Sequence, residues 1–343
     1  MGLFLTMLHT VQKEELRLVY GEIIRGCSYF FSKKYGEVII KHLTQHDTEL
    51  LDIKKIKYKN KAEERGLPTE KERVEDLIKE DLWTHQKERD MKSSKDFISK
   101  MEDTKKKMAL KSERKRVQQS INEEIDKLEK LLMEKKDLVG LTSETYSDKK
   151  VNDYYIYLSL YKDKDFKTPL FSEEQFDEVS ENDLSNIVIH FNKASRRFEQ
   201  DTIKRIALSH FFLNNFYLCK DNPFIYYGKP VVNLSYHQAD LFSFGRYYKQ
   251  IMQDMKNPVT NEMMDDPDKL TDQFEIEQNK DSVLKADSKS GEASTIVGAT
   301  KDDLEALGIA ATQDIGETVD LNDELNKKGG VMSMEDIMKL HGQ

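Results

Sequence analysis

Histidine side chains are the first candidates for metal chemistry in this sequence. His42 and His46 lie four residues apart, so a helix would place both imidazoles on one face, as in zinc proteases. The residues between them lack the glutamate that such an enzyme uses as its base, and a third ligand would have to come from the neighbouring Asp47 or Glu49. We therefore predict solvated histidines and no metal site.

The cysteines and the glycine-containing turns give no catalytic pattern. Neither Cys27 nor Cys219 has a histidine close by in sequence, and Cys219 is predicted to be a small buried apolar side chain. Two cysteines this far apart favour a reducing compartment. Gly228-Lys229-Pro230 is similar to the end of a phosphate-binding loop, but Pro230 stands where the loop needs a hydroxyl and removes an amide donor. The sequence therefore predicts a protein without cofactor that is not an enzyme.

One group of cations has the density needed to bind a polyanion. Glu113 is its only acidic residue, and no aromatic residue is interleaved for stacking on bases. Its positive charges could neutralise phosphates in a salt-dependent way, or form a solvated face, or meet an acidic partner such as the carboxyl-terminal part of this chain or a neighbouring subunit. We call it the basic cluster, and its members are Lys105, Lys106, Lys107, Lys111, Arg114, Lys115 and Arg116.

The basic cluster lies on a polar helical arm, residues 67–140, that we predict to be one long helix or two helices in tandem. Thr69 and Glu72 fit a capping box at its start, and Gly140 ends it. Apolar residues recur in steps of three and four, but Lys105 falls where an apolar residue is expected, so a bend or a hairpin near residues 105–115 fits equally well. So polar a helix needs a surface to pack on.

The regions on either side of the arm carry most of the apolar residues. In residues 1–66 a helical pattern from Val11 to Leu43, interrupted by Gly26 and Gly36, predicts two short helices. Residues 141–256 are rich in aromatic residues and are predicted to form a helical domain, with Phe224–Tyr227 as its one strand-like piece. Capping boxes are expected at Ser172 with Gln175 and at Ser235 with Gln238. The fold class is therefore mainly α.

Residues 257–343 form an acidic tail. Residues 261–343 hold 20 acidic and 8 basic residues, whereas the whole chain has a net charge of -9, so the rest is slightly positive. Residues 257–299 are predicted to be a flexible linker because they offer little apolar surface. Two short amphipathic segments follow, residues 301–307 and 334–340, which fit either helices that dock on a partner or frayed terminal helices.

Several side chains are candidates for contacts with other proteins. Adjacent tyrosines on one helix cannot all face a single core, so Tyr157 is predicted to lie at an interface. No apolar run approaches the roughly 20 residues that span a bilayer, so no membrane contact is expected. The second docking segment is expected to bind its partner through Met334, Ile337, Met338 and Leu340.

The general pattern of the chain resembles tail-assembly chaperones and baseplate or tail structural proteins of large tailed bacteriophages. The stretches that carry the resemblance are Gly66-Leu67-Pro68-Thr69-Glu70, Tyr226-Tyr227-Gly228-Lys229-Pro230 and residues 329–336. The resemblance implies a non-enzymatic protein in the host cytoplasm during assembly, or in the virion. Its partners would be other tail proteins, such as the tape-measure protein, or further copies of itself. The alternative is a nucleic-acid-binding protein that uses the basic cluster.

Overall fold

The computed structural model describes the backbone of residues 2–288, and the surroundings of the side chains of residues 14–279 except residue 177. The predicted docking segments, with Met334, Ile337, Met338 and Leu340, lie outside the described residues, as do residues 289–299 of the predicted linker. Within the described part the chain is mainly helical, which confirms the predicted fold class.

The helices and strands follow one another in this order. The first half contains α1 (Gly2–Arg25), β1 (Cys27–Ser32), β2 (Gly36–Lys41), α2 (Gln45–Thr48), α3 (Leu51–Glu64), α4 (Glu70–Lys79), α5 (His85–Lys106), α6 (Lys111–Val139) and α7 (Ser143–Ser159). The second half contains β3 (Leu160–Tyr161), α8 (Glu173–Asp177), α9 (Glu181–Ser195), α10 (Gln200–Leu208), α11 (His210–Leu218), α12 (Pro223–Tyr227), α13 (Tyr236–Asp254), α14 (Asn261–Asp265) and α15 (Pro267–Ser288). Short 3-10 turns lie at Arg196–Phe198 and Val231–Asn233.

The chain divides into two compact units. In the described part of the chain, the first unit comprises residues 2–83 and Asp137–Leu270, and the second comprises Thr84–Lys136 and residues 271–288. Residues 67–83 of the helical arm belong to the first unit, and most of its α5–α6 part belongs to the second. The reason is a break after α4, where Asp81 takes a left-handed φ of 56° and the amides of Leu82 and Trp83 both donate to the Leu77 carbonyl.

A β-hairpin replaces the second of the two helices predicted in residues 1–66. β1 and β2 are antiparallel, and β3 pairs with β2 through Ile39 opposite Tyr161. The helix prediction was wrong because Val38, Ile39 and Ile40 are a short β-branched run that is buried on both faces of the sheet, a pattern that periodicity alone does not separate from a helix. Gly36, with a φ of 73°, makes the turn.

The core next to this sheet joins strands to helices α7 and α9. Val38 and Ile40 pack in one cluster with Ile156 and Leu160, and Ile187 of α9 closes it. Half-buried aromatic side chains surround this cluster, so the aromatic residues supply much of the packing, as the composition predicts.

The predicted capping boxes are present with both of their reciprocal hydrogen bonds. Thr69 with Glu72 begins α4, Ser172 with Gln175 begins α8, and Ser235 with Gln238 begins α13. The box at α13 is buried, and the Gln238 side-chain amide also donates to the carbonyls of Ile23 and Ile24 at 2.8 and 3.1 Å. One side chain therefore joins the start of α13 to the end of α1.

The strand-like piece predicted at Phe224–Tyr227 is a helical turn. Asn222 accepts a hydrogen bond from the Phe224 amide at 2.9 Å, Pro223 occupies the first turn, and Gly228 ends the helix with a φ of 70°. The prediction was wrong because the Asn-Pro and Gly residues that were interpreted as turn signals are the cap signals of α12.

We predict that Gln238→Leu lowers the free energy of unfolding by roughly 1–3 kcal/mol, because the buried Ser235 amide loses its acceptor and the carbonyls of Ile23 and Ile24 each lose a donor. Urea unfolding measures the loss. The matched control is Gln175→Leu in the exposed box of α8, where the expected loss is about 1 kcal/mol or less. Equal losses in the two variants would contradict a bridging role for Gln238.

Candidate interaction site at the hairpin tip

Helices α5 and α6 form an antiparallel hairpin, so the hairpin alternative for the arm is confirmed. The turn consists of Lys107–Leu110. Contacts between the helices follow one register along their length: Lys105 donates to Gln118 near the turn, Ser94 donates to Glu124 further along, and Lys87 pairs with Glu134 near the open end.

The apolar residues that recur along the arm pack between the two helices of this hairpin. Met91 of α5 is buried, as are Val117, Ile121 and Leu128 of α6. Near the turn, Lys105 occupies a position in this pattern where an apolar residue is expected. Its side chain is half-buried between the helices, and its ammonium group donates to Gln118 of α6. A lysine is tolerated here because its stem can pack while its ammonium group finds a polar partner.

Arg114 is the most buried member of the basic cluster, with 5% of its side chain exposed. Its Nη1 donates to the carbonyls of Lys105 and Met108 at 2.9 and 3.4 Å, where α5 ends. Its Nη2 donates to Asp272 and to Glu275, each at 2.6 Å. Burial alone would lower the pKa of Arg114, but the hydrogen bonds with Glu275 and Asp272 raise it, so the group stays charged.

Helix α15 supplies the acidic partners of Arg114. Asp272, Glu275 and Asn279 lie on one helix face, at positions i, i+3 and i+7. Asn279 Nδ2 donates to the Lys106 carbonyl at 2.6 Å, so the third position on this face also contacts the hairpin. The acidic carboxyl-terminal part of the chain therefore meets the basic cluster, one of the arrangements that the charge distribution predicts.

The flexible linker predicted at residues 257–299 is wrong for its first part, since α14 and α15 occupy most of residues 257–288. Asp266 caps α15 by accepting from the amides of Asp268 and Lys269, and Pro267 stands at its first position. Ile276 is 4% exposed. The composition of this segment predicted disorder because its acidic residues have no compensating charges nearby in sequence. The cations that pair with them, Lys105 and Arg114, lie more than 150 positions earlier in the chain.

The structure divides the basic cluster into two groups. Lys105 and Arg114 make internal contacts with α15, with Lys105 Nζ 3.7 Å from Asp272. The other members are exposed, and of these Lys106 pairs with Asp103 at 3.3 Å. We use "hairpin tip" for residues 105–116. Its exposed cations are Lys106, Lys107, Lys111, Lys115 and Arg116.

The other predicted contact residue, Tyr157, lies on α7 in the first unit. It is half-buried and its ring is 5.1 Å from that of Phe176 and 5.4 Å from that of Tyr154. Burial raises the pKa of its hydroxyl. Packing inside the first unit therefore accounts for much of the ring, and the interface role stays a prediction.

The two histidines of the suggested metal pair lie in different surroundings. His46 is exposed on α2, whereas His42 follows β2 and is 7% exposed. His42 instead contacts His237, with ring centroids 4.9 Å apart, and Phe198 at 4.6 Å. Neither ring nitrogen of His42 has a hydrogen-bond partner among the described residues. No spacing in the sequence predicts this contact, because His237 is brought to His42 by the fold.

Burial lowers the pKa of His42 to about 3, with smaller contributions from His237, Arg197 and Lys229, and burial lowers that of His237 to about 4. Both rings are therefore neutral at pH 7. Among the side chains that the structure describes, no three from His, Cys, Asp or Glu are grouped as metal ligands.

Comparisons with known proteins do not place the chain in a family. No family model, no curated protein and no solved structure matches it. In the described residues, no helix has the length and apolar character to cross a membrane.

We predict that the protein loses stability as the pH falls from about 6.5 towards 4, partly through His42. The unfolded chain binds a proton on this histidine below its ordinary pKa, whereas the folded chain does not until about pH 3. His42→Phe keeps a ring against Phe198 and should make unfolding free energy less dependent on pH in this window, by at most about 1.4 kcal/mol per pH unit. Urea unfolding at pH 7, 5.5 and 4.5 measures the difference.

The matched control is Ile40→Val in the adjoining strand, which removes no titrating group and should lower the unfolding free energy by a similar amount at each pH. Carboxylates titrate in the same window, so the comparison with the native protein isolates the histidine. A pH dependence unchanged by His42→Phe would contradict the assignment.

We predict that Arg114→Ala lowers the unfolding free energy by about 2–3 kcal/mol, because two carboxylates of α15 and the carbonyls of Lys105 and Met108 each lose a donor. Amide hydrogen exchange should increase in α15 before it increases in α6. Arg116→Ala, at an exposed position of the same helix, is the control and should change stability by less than about 0.5 kcal/mol. Unchanged exchange in α15 would rule out the anchoring role.

Proposed function

We propose that the protein is a non-enzymatic assembly or structural component of a phage tail and that it acts through contacts with other tail proteins, such as the tape-measure protein, or with further copies of itself. Its place would be the host cytoplasm during assembly, or the virion. The resemblance in general pattern supplies the phage context. The observation that carries a role in contact is an exposed apolar surface on the first unit.

One part of this surface lies on α3. Ile53 and Ile56 are 63% and 61% exposed, and Leu50, at the start of the helix, is 55% exposed. The opposite side of α3 already packs on α7, where Lys59 pairs with Glu144 and the Lys54 ammonium lies 4.4 Å from the ring centre of Tyr154. The isoleucines therefore lie on the side of the helix that α7 leaves uncovered.

The second part is the 3-10 turn Val231–Asn233, where Val231 and Val232 are 61% and 68% exposed. This turn contacts α2, which directly precedes Leu50, and the hydroxyls of Thr48 and Tyr236 are 2.7 Å apart beside it. We call the two parts together the apolar surface, with residues Leu50, Ile53, Ile56, Val231 and Val232. Exposed apolar side chains on neighbouring elements make these two parts a candidate protein interaction site.

The test compares binding to isolated tail particles by the native chain and by Ile53→Asp with Val232→Asp. A charge at the centre of a desolvated contact costs several kcal/mol, so the variant should co-sediment with particles at least tenfold less well. Ile189→Asp on α9, at a residue 60% exposed in the native chain, is the matched control and should bind as the native chain does. A native chain that is strictly monomeric by light scattering and does not bind particles would refute the proposal.

Nucleic-acid binding is the second candidate, and the exposed cations of the hairpin tip favour it. Filter binding to duplex DNA over a range of salt concentrations tests it, because phosphate neutralisation gives an affinity that falls steeply with salt. Replacing Lys107, Lys111 and Lys115 by glutamine should then reduce the salt slope by about one unit for each lost contact. An affinity that does not depend on these lysines would eliminate this candidate.

A further inference from the structure

Helix α15 binds the hairpin tip through three polar side chains that lie on one face of the helix. Two carboxylates one helical turn apart, from Asp272 and Glu275, meet a single guanidinium, and an amide one turn further on meets a carbonyl at the end of α5. Ile276, on the same side of α15, is buried. The tip therefore binds an acidic helix in the native chain.

The fit between α15 and Arg114 is incomplete. Both carboxylates converge on Nη2, while the buried Nε has no hydrogen-bond partner among the described residues. An arginine can bind one carboxylate side-on through Nε and Nη2 together, which gives two parallel hydrogen bonds. The Nε donor of Arg114 therefore remains unused by any described residue when α15 is bound.

Charge and helix stability also favour replacement of α15. The exposed cations of the hairpin tip outnumber the two carboxylates that α15 presents to Arg114, so the tip still attracts negative charge when α15 is bound. The described part of α15 within the second unit buries few apolar side chains, Ile276 foremost among them. A helix with so little buried apolar surface opens at low cost compared with unfolding of the whole chain.

We propose that the hairpin tip is the docking site for an acidic helix of a partner protein and that α15 occupies this site until the partner displaces it. The partner helix carries two carboxylates spaced three positions apart and an apolar residue beside them. This inference rests on the proposed function, because it names the class of partner that a contact protein of this kind would take. The same segment of a second copy of the chain has the required chemistry and serves as the probe.

The experiment uses the full chain with Asp272→Lys and Glu275→Lys, which should release α15 by repulsion from Arg114. Hydrogen exchange of α15 verifies the release, and circular dichroism verifies the remaining helix content. The probe is a fluorescent synthetic peptide of native residues 271–288. Fluorescence anisotropy should show that the released variant binds this peptide at least about tenfold more tightly than the native chain, in which α15 competes.

Two further variants define the site. Adding Arg114→Gln to the released variant should abolish peptide binding, whereas adding Lys130→Gln, at an exposed position of the same helix outside the hairpin tip, should leave it unchanged. A peptide that carries Asp272→Lys and Glu275→Lys should not bind. These results together would establish the acidic-helix site.

Three outcomes would overturn the inference: unchanged exchange of α15 in the lysine variant, no peptide binding despite release, or binding of a 20-base-pair DNA duplex more tightly than the peptide. The third would assign the tip to nucleic acid. None of them affects the particle-binding test of the apolar surface on the first unit, so failure of this inference is distinguishable from failure of the proposed function.

Discussion

The packing of the second unit depends on the burial of one positive charge. Moving a guanidinium out of water costs several kcal/mol, and the cost is met only when acceptors surround the group. Arg114 finds them in two carboxylates of α15 and two carbonyls at the end of α5, so segments that are far apart in sequence must come together around it. Arg114 therefore links the turn of the hairpin to α15.

In the first unit, a neutral side chain, that of Gln238, likewise joins segments that are far apart in sequence. Gln238 is fully buried and joins α13 to α1, and because it carries no charge its partners need only be backbone groups. His42 is the contrasting case, since it is buried beside His237 and Phe198 with neither nitrogen bonded to a described residue. A buried polar group can therefore either join distant segments or make the fold sensitive to acid, and the availability of acceptors decides which.

Local signals explain why much of the helical structure could be predicted. A capping box such as that at Thr69 involves groups within four residues, so its chemistry is contained in the sequence itself. Features that depend on distant partners could not be predicted in this way. Val38–Ile40 form a strand because they pair with β1 on one side and with β3 on the other. Helix α15 pairs its acidic residues with Arg114 of α6, which is far away in sequence. His42 contacts a histidine nearly 200 positions away. In the candidate site, the cations were identifiable from sequence, but which of them would be buried was not.

The α5–α6 hairpin is inserted between two halves of the first unit, which the chain leaves at Trp83 and re-enters at Asp137. Because the two helices run antiparallel, equal insertions in both would preserve their register and lengthen the hairpin by about 1.5 Å for each added pair of residues. The length of such a hairpin can therefore change without any change in the sequence of the sheet or of the aromatic core. Related chains should therefore differ most in length here, in multiples of seven residues that keep the same seam facing inward.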